Sequence, residues 1–185
     1  MVHNISNIVI AGAGIMGSSI AQLFAGHGYR VVLYDINDEV LEKSRKLILI
    51  NQEALAQSGG LSGKNRESIR DNITFSCKKE SFERADFVIE AIIEKMEIKH
   101  SFWSEISALV PEKAILTSNT SGLSLTEIAK AVRKPERFCG MHWLNPPHIC
   151  PLVEIINGDK TAPETADIVY DLACDIHRYP VRLKT

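Results

Sequence analysis

The stretch Asn7-Ile-Val-Ile-Ala-Gly-Ala-Gly-Ile-Met-Gly17 decides the fold of this chain. It begins with an apolar run rich in β-branched side chains, which predicts a buried strand over residues 7–11. Three glycines follow at the spacing G-x-G-x-x-G, and apolar residues then recur at helical spacing over residues 15–28. The glycine pattern alone is a weak signal. Between a strand and a helix it becomes a specific one, because a turn in that place brings free backbone N–H groups to the start of a helix.

Each glycine of the turn has a separate expected role. Gly12 allows the tight turn, Gly14 lets the backbone approach a pyrophosphate, and Gly17 lets the helix pack closely on the strand. The free N–H groups at the helix start, those of Ile15 and Met16 among them, then hold the anion together with the positive end of the helix. The stretch therefore predicts a dinucleotide site.

The next strand indicates which dinucleotide is bound. It is predicted over residues 30–35 and ends in Asp35, at the offset from the glycines where a carboxylate accepts hydrogen bonds from the adenosine ribose. A carboxylate there repels a 2′-phosphate, and the following Ile36 and Asn37 supply no arginine to bind one. NAD is favoured over NADP. A glycine turn beside a merely solvated aspartate is the weaker interpretation, because strand, glycines, helix and acid all have the expected spacing.

Outward from this unit, apolar segments alternate with helical patterns, which predicts a parallel sheet built from βαβ units. A long helix is predicted over residues 37–58 with Asn37 as its N-cap, ended by Gly59-Gly60 and followed by a shorter helix over 64–70. Further strands are predicted at 73–76, 86–91, 114–118, 137–142, 152–156 and 181–183. Further helices are predicted at 96–110, after a capping box at 124–127, and from a second capping box at 161–164 to about residue 177. The fold class is α/β, a Rossmann-type doubly wound, mostly parallel sheet with a helical hairpin insertion, forming one domain over residues 1–185.

Composition narrows the possible partners and environment. The 185 residues carry a net charge of −2 and no basic stripe, so nucleic acid is not an expected partner. No apolar run has the roughly 18 residues of a membrane helix, and the amino terminus lacks the pattern of a signal peptide. The four cysteines show no metal-ligand spacing and are expected to be small buried hydrophobes in a reducing compartment. These observations predict a cytoplasmic protein that binds neither a metal nor a membrane.

A second group of candidate residues lies in the later half of the chain. His142 ends one predicted strand, and Glu154 lies inside the apolar strand over residues 152–156. A carboxylate within an apolar strand is costly without a partner, and His142 is the obvious one. Two interpretations are open from the spacing alone. The pair is either a satisfied core histidine beside an edge-strand glutamate, or a dyad whose imidazole removes a hydroxyl proton while the carboxylate orients it.

Four motifs, taken in order, resemble the 3-hydroxyacyl-CoA dehydrogenase family. They are the glycine turn with Met16, the stretch Ser118-Asn-Thr-Ser121, the loop Gly140-Met-His-Trp-Leu-Asn-Pro146, and the strand segment Leu152-Val-Glu154. The similarity spans nearly the whole chain. It implies reversible NAD-dependent oxidation of a 3-hydroxyacyl-CoA to the 3-oxoacyl-CoA.

The resemblance also implies roles for individual residues. His142 corresponds to the family's catalytic base and Glu154 to its partner, while Ser121 and Asn145 correspond to residues that contact the substrate oxygen. The residues that it places near the cofactor, in addition to the glycine turn, are Glu94, Lys99 and Asn119.

The resemblance leaves the substrate less defined than the chemistry. Trp143-Leu144 stands where members acting on short acyl-CoA commonly have two aromatic residues, and the segment over residues 147–150 is also unlike the commonest members. In the family a helical C-terminal domain follows, completes the substrate pocket and forms a homodimer, and we expect that domain to be missing from residues 1–185. The rival functions are a sugar-acid or carnitine-type dehydrogenase and an NAD-binding structural protein without turnover. The His142–Glu154 pair argues against the second rival.

Overall fold

A computed structural model describes residues 2–57 and 63–183, with the side chains of residues 63–65 left out. Its sheet has eight strands in the order β3-β2-β1-β4-β5-β6-β7-β8. The strands are β1 (Asn7–Ala11), β2 (Arg30–Tyr34), β3 (Ile73–Ser76), β4 (Phe87–Glu90), β5 (Ile115–Ser118), β6 (Phe138–Trp143), β7 (Leu152–Ile156) and β8 (Tyr179–Leu183). The first six are parallel to one another, β7 runs antiparallel to β6, and β8 is parallel to β7. The doubly wound, mostly parallel sheet is therefore confirmed.

Helices cover both faces of the sheet. They are α1 (Ile15–Gly26), α2 (Asp38–Gln57), α3 (Gly63–Asn72), α4 (Met96–Leu109), α5 (Leu125–Ala129) and α6 (Pro163–Asp175). One buried cluster joins α1 and α6 to the sheet around Phe24 and Trp143, and the other joins α4 and α5 to the opposite face around Trp103 and Phe138. Apolar side chains on both faces explain why the central strands are continuous hydrophobic runs.

The strand order fixes where a ligand binds. β1 lies between β2 and β4, so the chain leaves β1 towards one edge of the sheet and later returns to the other side of it. In such a sheet the ligand crevice lies outside the carboxyl ends of the strands at this switch point. The turn after β1, the end of β2 and the loop after β4 all meet there.

Two of the three predicted side-chain caps are confirmed, and one is wrong. The Asn37 side chain accepts a hydrogen bond from Glu39 N at 2.8 Å, and Ser124 Oγ accepts one from Glu127 N at 3.3 Å. The predicted capping box at Thr161 does not form. Thr161 Oγ1 donates to the Phe138 carbonyl at 2.7 Å, and its own hydroxyl oxygen accepts from Gly158 N at 2.8 Å. These tertiary contacts occupy the hydroxyl, and α6 begins without a side-chain cap.

The base of the predicted helical hairpin packs on α1. Ser18 and Ser44 join α1 to α2 through a hydroxyl contact of 2.7 Å, and Ser68 Oγ of α3 donates to the Ala25 carbonyl at 3.1 Å. The predicted break at Gly59-Gly60 lies outside the described residues. Within residues 2–57 and 63–183, no helix combines the length and hydropathy needed to span a membrane.

The cysteines depart from their predicted burial. All four are free thiols, but only Cys139 is fully buried. Burial raises the pKa of the Cys139 thiol to about 12. Cys77 and Cys150 are half-buried and Cys174 is exposed. Small hydrophobic packing therefore explains Cys139 fully and Cys77 in part, since Cys77 packs against the edge of the core.

Candidate active site

The glycine turn is built so tightly that two of its glycines cannot be replaced. Gly12 has φ +102°, and a Cβ there would lie 2.4 Å from the Ala91 carbonyl oxygen. A Cβ on Gly17 would lie 1.8 Å from the Gly12 carbonyl oxygen. Around Gly14, in contrast, no atom of the described residues, its own chain neighbours apart, lies within 4 Å of the position that a Cβ would take. The protein itself does not need a glycine at this position, so the open space is left for a ligand that approaches the backbone.

Asp35 lies beside this turn and already binds it. Its Oδ2 accepts a hydrogen bond from Ala13 N at 2.8 Å, and its Oδ1 accepts one from Asn37 N at 3.2 Å. A cleft of about 660 Å³ opens here, lined by Gly12, Gly14 and Asp35 and by apolar residues at the end of β2 and after β4. Glycine turn, helix start, carboxylate and apolar wall together fit a dinucleotide with its pyrophosphate over Gly14 and its ribose at Asp35.

Three exposed isoleucines line the same cleft, and sequence reasoning missed them. Ile36 is 84% exposed, Ile93 56% and Ile98 41%. Ile36 directly follows Asp35, Ile93 lies between β4 and α4, and Ile98 lies in the first turn of α4. Apolar side chains at the crevice are suited to the faces of an adenine ring. Their signal in the sequence was weak because single exposed hydrophobic residues are common on protein surfaces.

A chain of charged groups lies below the cleft. Glu90 ends β4 and is fully buried, and its Oε1 lies 2.5 Å from Nζ of Lys99, which is 1% exposed. The Glu90 carboxylate also accepts hydrogen bonds from Ser118 Oγ at 2.7 Å and from Ile92 N at 3.0 Å. Lys99 reaches Glu94 Oε2 at 3.2 Å on its other side. Glu90 therefore lies beneath the cleft as the main partner of Lys99.

Glu94 links this chain of charges to the loop after β5. Its Oε1 accepts hydrogen bonds from Thr120 Oγ1 at 2.5 Å, Ser121 N at 3.0 Å and Gly122 N at 3.3 Å. Burial opposes ionisation of this carboxylate, but the Thr120 hydroxyl and the Lys99 ammonium lower its pKa below the usual range. Glu94 is therefore charged at neutral pH and fastens the turn that carries Ser121.

The remaining predicted residues lie on loops at the same edge of the sheet. Ser121 follows β5 and Asn145 follows β6, and both residues are exposed. Asn119 ties the loop after β5 to the ends of β6 and β4, because its Oδ1 accepts a hydrogen bond from Trp143 N at 2.8 Å and its own N–H donates to the Glu90 carbonyl at 2.7 Å.

His142 and Glu154 are direct partners across β6 and β7. The antiparallel register places them opposite each other, and His142 Nδ1 lies 2.7 Å from Glu154 Oε2. Their neighbours in the two strands, Met141, Trp143 and Val153, pack into the core on the other face of the sheet. Strand alternation therefore puts imidazole and carboxylate on one face, where their side chains are 19% and 27% exposed. The pair is a solvent-accessible hydrogen-bonded dyad and not a buried core contact.

Among residues 2–57 and 63–183, no group of three or more metal-ligating side chains is close enough to hold an ion.

His148, in the loop after β6, contacts Ser19 Oγ of α1 at 3.2 Å, and burial lowers its pKa. This histidine anchors the loop to α1.

Comparison with known proteins agrees with this geometry. Residues 7–185 match the family model described as "3-hydroxyacyl-CoA dehydrogenase, NAD binding domain". The chain is 41% identical over 169 residues to a probable 3-hydroxybutyryl-CoA dehydrogenase of Bacillus subtilis, covering 91% of this chain and 59% of that protein. It is 37% identical over 172 residues to a fatty acid oxidation complex subunit alpha of Idiomarina loihiensis, covering 93% of this chain and 24% of that protein.

A solved structure of (S)-3-hydroxybutyryl-CoA dehydrogenase from Ralstonia eutropha superposes with a TM-score of 0.95 at 33% identity, over 98% of this chain and 64% of that one. The chain thus spans about a quarter of the Idiomarina loihiensis protein and about three fifths of the Bacillus subtilis protein. The glycine turn, Asp35 and the apolar cleft fit the cofactor that the family model names. The chain belongs to the 3-hydroxyacyl-CoA dehydrogenase family and contains that family's NAD-binding domain.

Proposed function

We propose that this domain catalyses the reversible NAD-dependent oxidation of a 3-hydroxyacyl-CoA to the 3-oxoacyl-CoA, with His142 as general base and Glu154 as its partner. The observation that carries the proposal is the 2.7 Å contact between His142 Nδ1 and Glu154 Oε2, at the sheet edge that also bears the NAD cleft. The relatives support the substrate class, since they are named as 3-hydroxybutyryl-CoA dehydrogenases or as a subunit of a fatty acid oxidation complex.

The contact determines which ring nitrogen is available for chemistry. A carboxylate accepts hydrogen bonds, so Nδ1 of His142 carries the proton that it donates to Glu154. In the neutral ring Nε2 then has a lone pair and can take the proton of the substrate hydroxyl. Glu154 stabilises the positive charge that the imidazole gains. When bound, NAD accepts the hydride that leaves the carbon bearing this hydroxyl.

Ser121 and Asn145 are proposed to position the substrate oxygen. Both lie exposed on the loops that follow β5 and β6, and a hydroxyl and an amide can each donate a hydrogen bond to a carbonyl oxygen. Hydrogen bonds aimed at the oxygen on which charge develops lower the barrier more than contacts to the rest of the substrate do.

The cofactor contacts are proposed from the same geometry. The N–H groups of Ile15 and Met16 would face the pyrophosphate, and Asp35 would accept hydrogen bonds from the ribose. On the nicotinamide side the proposed residues are Glu94, Lys99 and Asn119. Because the Lys99 ammonium lies between Glu90 and Glu94, we propose that it acts on the cofactor through Glu94.

The surroundings of the domain are part of the proposal. We propose that it works with a helical C-terminal domain that completes the acyl-CoA pocket and forms a homodimer, in the reducing environment of the cytoplasm. The fraction of each relative's length that the chain spans supports the need for such a partner domain. The cytoplasmic location is supported by the four free thiols.

The test is a substrate screen that follows NADH absorbance, using the domain joined to the helical domain. We expect reduction of acetoacetyl-CoA, with a dependence on acyl length measured across a series of 3-oxoacyl-CoA esters. Turnover of free hydroxy acids but of no CoA ester would overturn the substrate class. The absence of turnover with any alcohol, despite tight NADH binding, would favour the structural rival.

A further inference from the structure

The buried pair of Glu90 and Lys99 is an expensive feature for a domain of this fold. Both side chains are essentially inaccessible to water, and taking two charges out of water costs several kcal/mol per ion before their attraction offsets it. Well-packed apolar residues of the same volume would stabilise the domain as well or better. A contribution to stability alone therefore does not explain why the domain contains this pair.

What distinguishes this pair is its connection to the loop after β5, which carries Ser121. Lys99 contacts Glu90 on one side and Glu94 on the other, and Glu94 holds the backbone N–H groups of Ser121 and Gly122. The four contacts run from the strand under the cofactor cleft to the turn that carries a proposed substrate ligand. Because Glu90 also accepts hydrogen bonds from Ser118 and Ile92, it is the fixed end of this series of contacts.

We infer that Glu90 is a positioning residue, which holds Lys99 and thereby keeps Glu94 in the orientation that fixes the Ser121 turn relative to the cofactor cleft. This inference rests on the proposed function for its catalytic meaning. Its structural part concerns only residues of the domain. Without Glu90, the Lys99 ammonium keeps one anionic partner and is drawn towards Glu94 and solvent, and the Glu94 carboxylate turns with it.

A pair of variants separates positioning from simple packing. Glu90→Gln leaves Lys99 as a buried charge with half its partners, and we expect a clear loss of stability. Glu90→Gln together with Lys99→Met removes both charges, so stability should return close to that of the wild type. The matched control is Glu112→Gln with Lys134→Met, which removes an ion pair of 3.0 Å on the surface.

The decisive readout is residue-resolved amide hydrogen exchange in the unliganded domain. In the double variant at positions 90 and 99 we expect the Ser121 and Gly122 amides to exchange at least about tenfold faster than in the wild type, with the control unchanged. Adding Glu94→Gln to the double variant should not speed the exchange of these amides further, since the contact of Glu94 with them is already lost. Unchanged protection of both amides in a well-folded double variant would overturn the inference.

Kinetics then connects the positioning to catalysis. In the protein with the helical domain, the double variant should lose kcat by about tenfold or more. A well-folded double variant with wild-type kcat would contradict the catalytic part. If the wild type itself turned over no acyl-CoA, the proposed function would fail, and the exchange experiment would still decide whether Glu90 positions the Ser121 turn.

Discussion

His142 and Glu154 meet through Nδ1 and Oε2 at 2.7 Å, and this contact directs the other ring nitrogen of His142 away from the carboxylate. Their backbones are paired in the antiparallel register of β6 and β7, so the distance is set by the sheet and not by a flexible loop. Preorganisation of this kind is what a general base needs, because its proton-accepting atom must already be in position when the alcohol binds. The geometry therefore leads to a direct test of the dyad.

Replacing His142 by Ala should remove most turnover and leave NADH binding intact. Loss of a general base typically costs about 10²–10⁴-fold in rate, whereas the cofactor cleft is lined by other residues. Steady-state kcat and calorimetric NADH binding measure the two effects on the protein with its helical domain. His148→Ala is the matched control, since His148 contacts Ser19 and is not part of the dyad. Near wild-type kcat in His142→Ala would show that another group is the base.

Asp35 should make the domain prefer NADH over NADPH by at least about tenfold, roughly 1.4 kcal/mol. The carboxylate can accept hydrogen bonds from ribose hydroxyls and repels a 2′-phosphate. Asp35→Ala should weaken NADH binding and narrow the preference. Part of the loss will come from the glycine turn, because Asp35 also accepts a hydrogen bond from Ala13 N. Titration of both cofactors measures this, with Glu39→Gln as a control for removing a nearby exposed charge. Equal affinity of the wild type for the two cofactors would contradict the assignment.

Gly14 and Gly17 should separate ligand binding from folding. Gly14→Ala meets no atom within 4 Å, so the free energy of unfolding should change by less than about 1 kcal/mol, while NADH affinity falls. Gly17→Ala places a Cβ 1.8 Å from the Gly12 carbonyl oxygen and should destabilise the domain severely. Urea unfolding and NADH titration of the two variants make the comparison. A loss of stability in Gly14→Ala as large as that in Gly17→Ala would contradict the distinction.

Asp86 should make the stability of the domain depend on acid pH. Burial opposes its ionisation, but hydrogen bonds from Asn7 and Ser6 outweigh that effect and lower its pKa below the usual value. A folded-state pKa below the unfolded one adds stability above the unfolded pKa, and this stability is lost as the pH falls through the folded pKa.

Asp86→Asn should therefore cost about 1–2 kcal/mol at pH 7, since hydrogen bonds to a charged acceptor are lost. The difference from wild type should shrink below about pH 4, where the wild-type carboxyl also becomes neutral. Urea unfolding at a series of pH values measures it, with the exposed Glu83→Gln as control. A difference between wild type and Asp86→Asn that is independent of pH would contradict the explanation.

The sequence was most informative where local chemistry determines local structure. The strand, glycines and helix of residues 7–26 follow from patterns within one βαβ unit, and so does the Asn37 cap. β8 begins two residues earlier than predicted, because Tyr179 pairs in register with Leu152 of β7 and no local signal announces that pairing. The Thr161 cap failed for the same kind of reason, since a distant carbonyl competes for its hydroxyl.

The candidate site shows the same division. His142 and Glu154 were linked from the sequence because a carboxylate within an apolar strand needs a partner. The buried contact of Glu90 with Lys99 was not foreseen from the sequence. A glutamate at the end of a buried strand and a lysine on the apolar face of a helix are each costly, and their pairing requires knowing that α4 returns over β4. A search for matched buried charges on neighbouring elements would have found them.

One face of β8, beside the dyad, is exposed and apolar. In β8, Tyr179, Val181 and Leu183 are 71%, 45% and 41% exposed, whereas Arg182 on the opposite side pairs with Asp167 of α6. Val181 is the register partner of Glu154, so this apolar strip is continuous with the proposed catalytic pair. An exposed apolar strip of this kind is typical of a surface that binds another domain.

We expect residues 1–185 alone to fold and bind NADH, because both clusters of the core and the whole cofactor cleft lie within them. Turnover of acyl-CoA should be poor, since a cleft with one wall does not hold the substrate carbon against the nicotinamide, and lost positioning removes several kcal/mol of catalysis.

The apolar strip should also make the isolated domain self-associate. Val181→Lys should reduce this association, and Lys160→Ala, at an exposed position outside the strip, should not. Assays of the domain with and without the helical domain, on acetoacetyl-CoA and NADH, together with analytical ultracentrifugation, test both expectations. Equal kcat/KM in the two forms would show that the second wall is dispensable, and a monomeric isolated domain would show that the strip does not act as an interface.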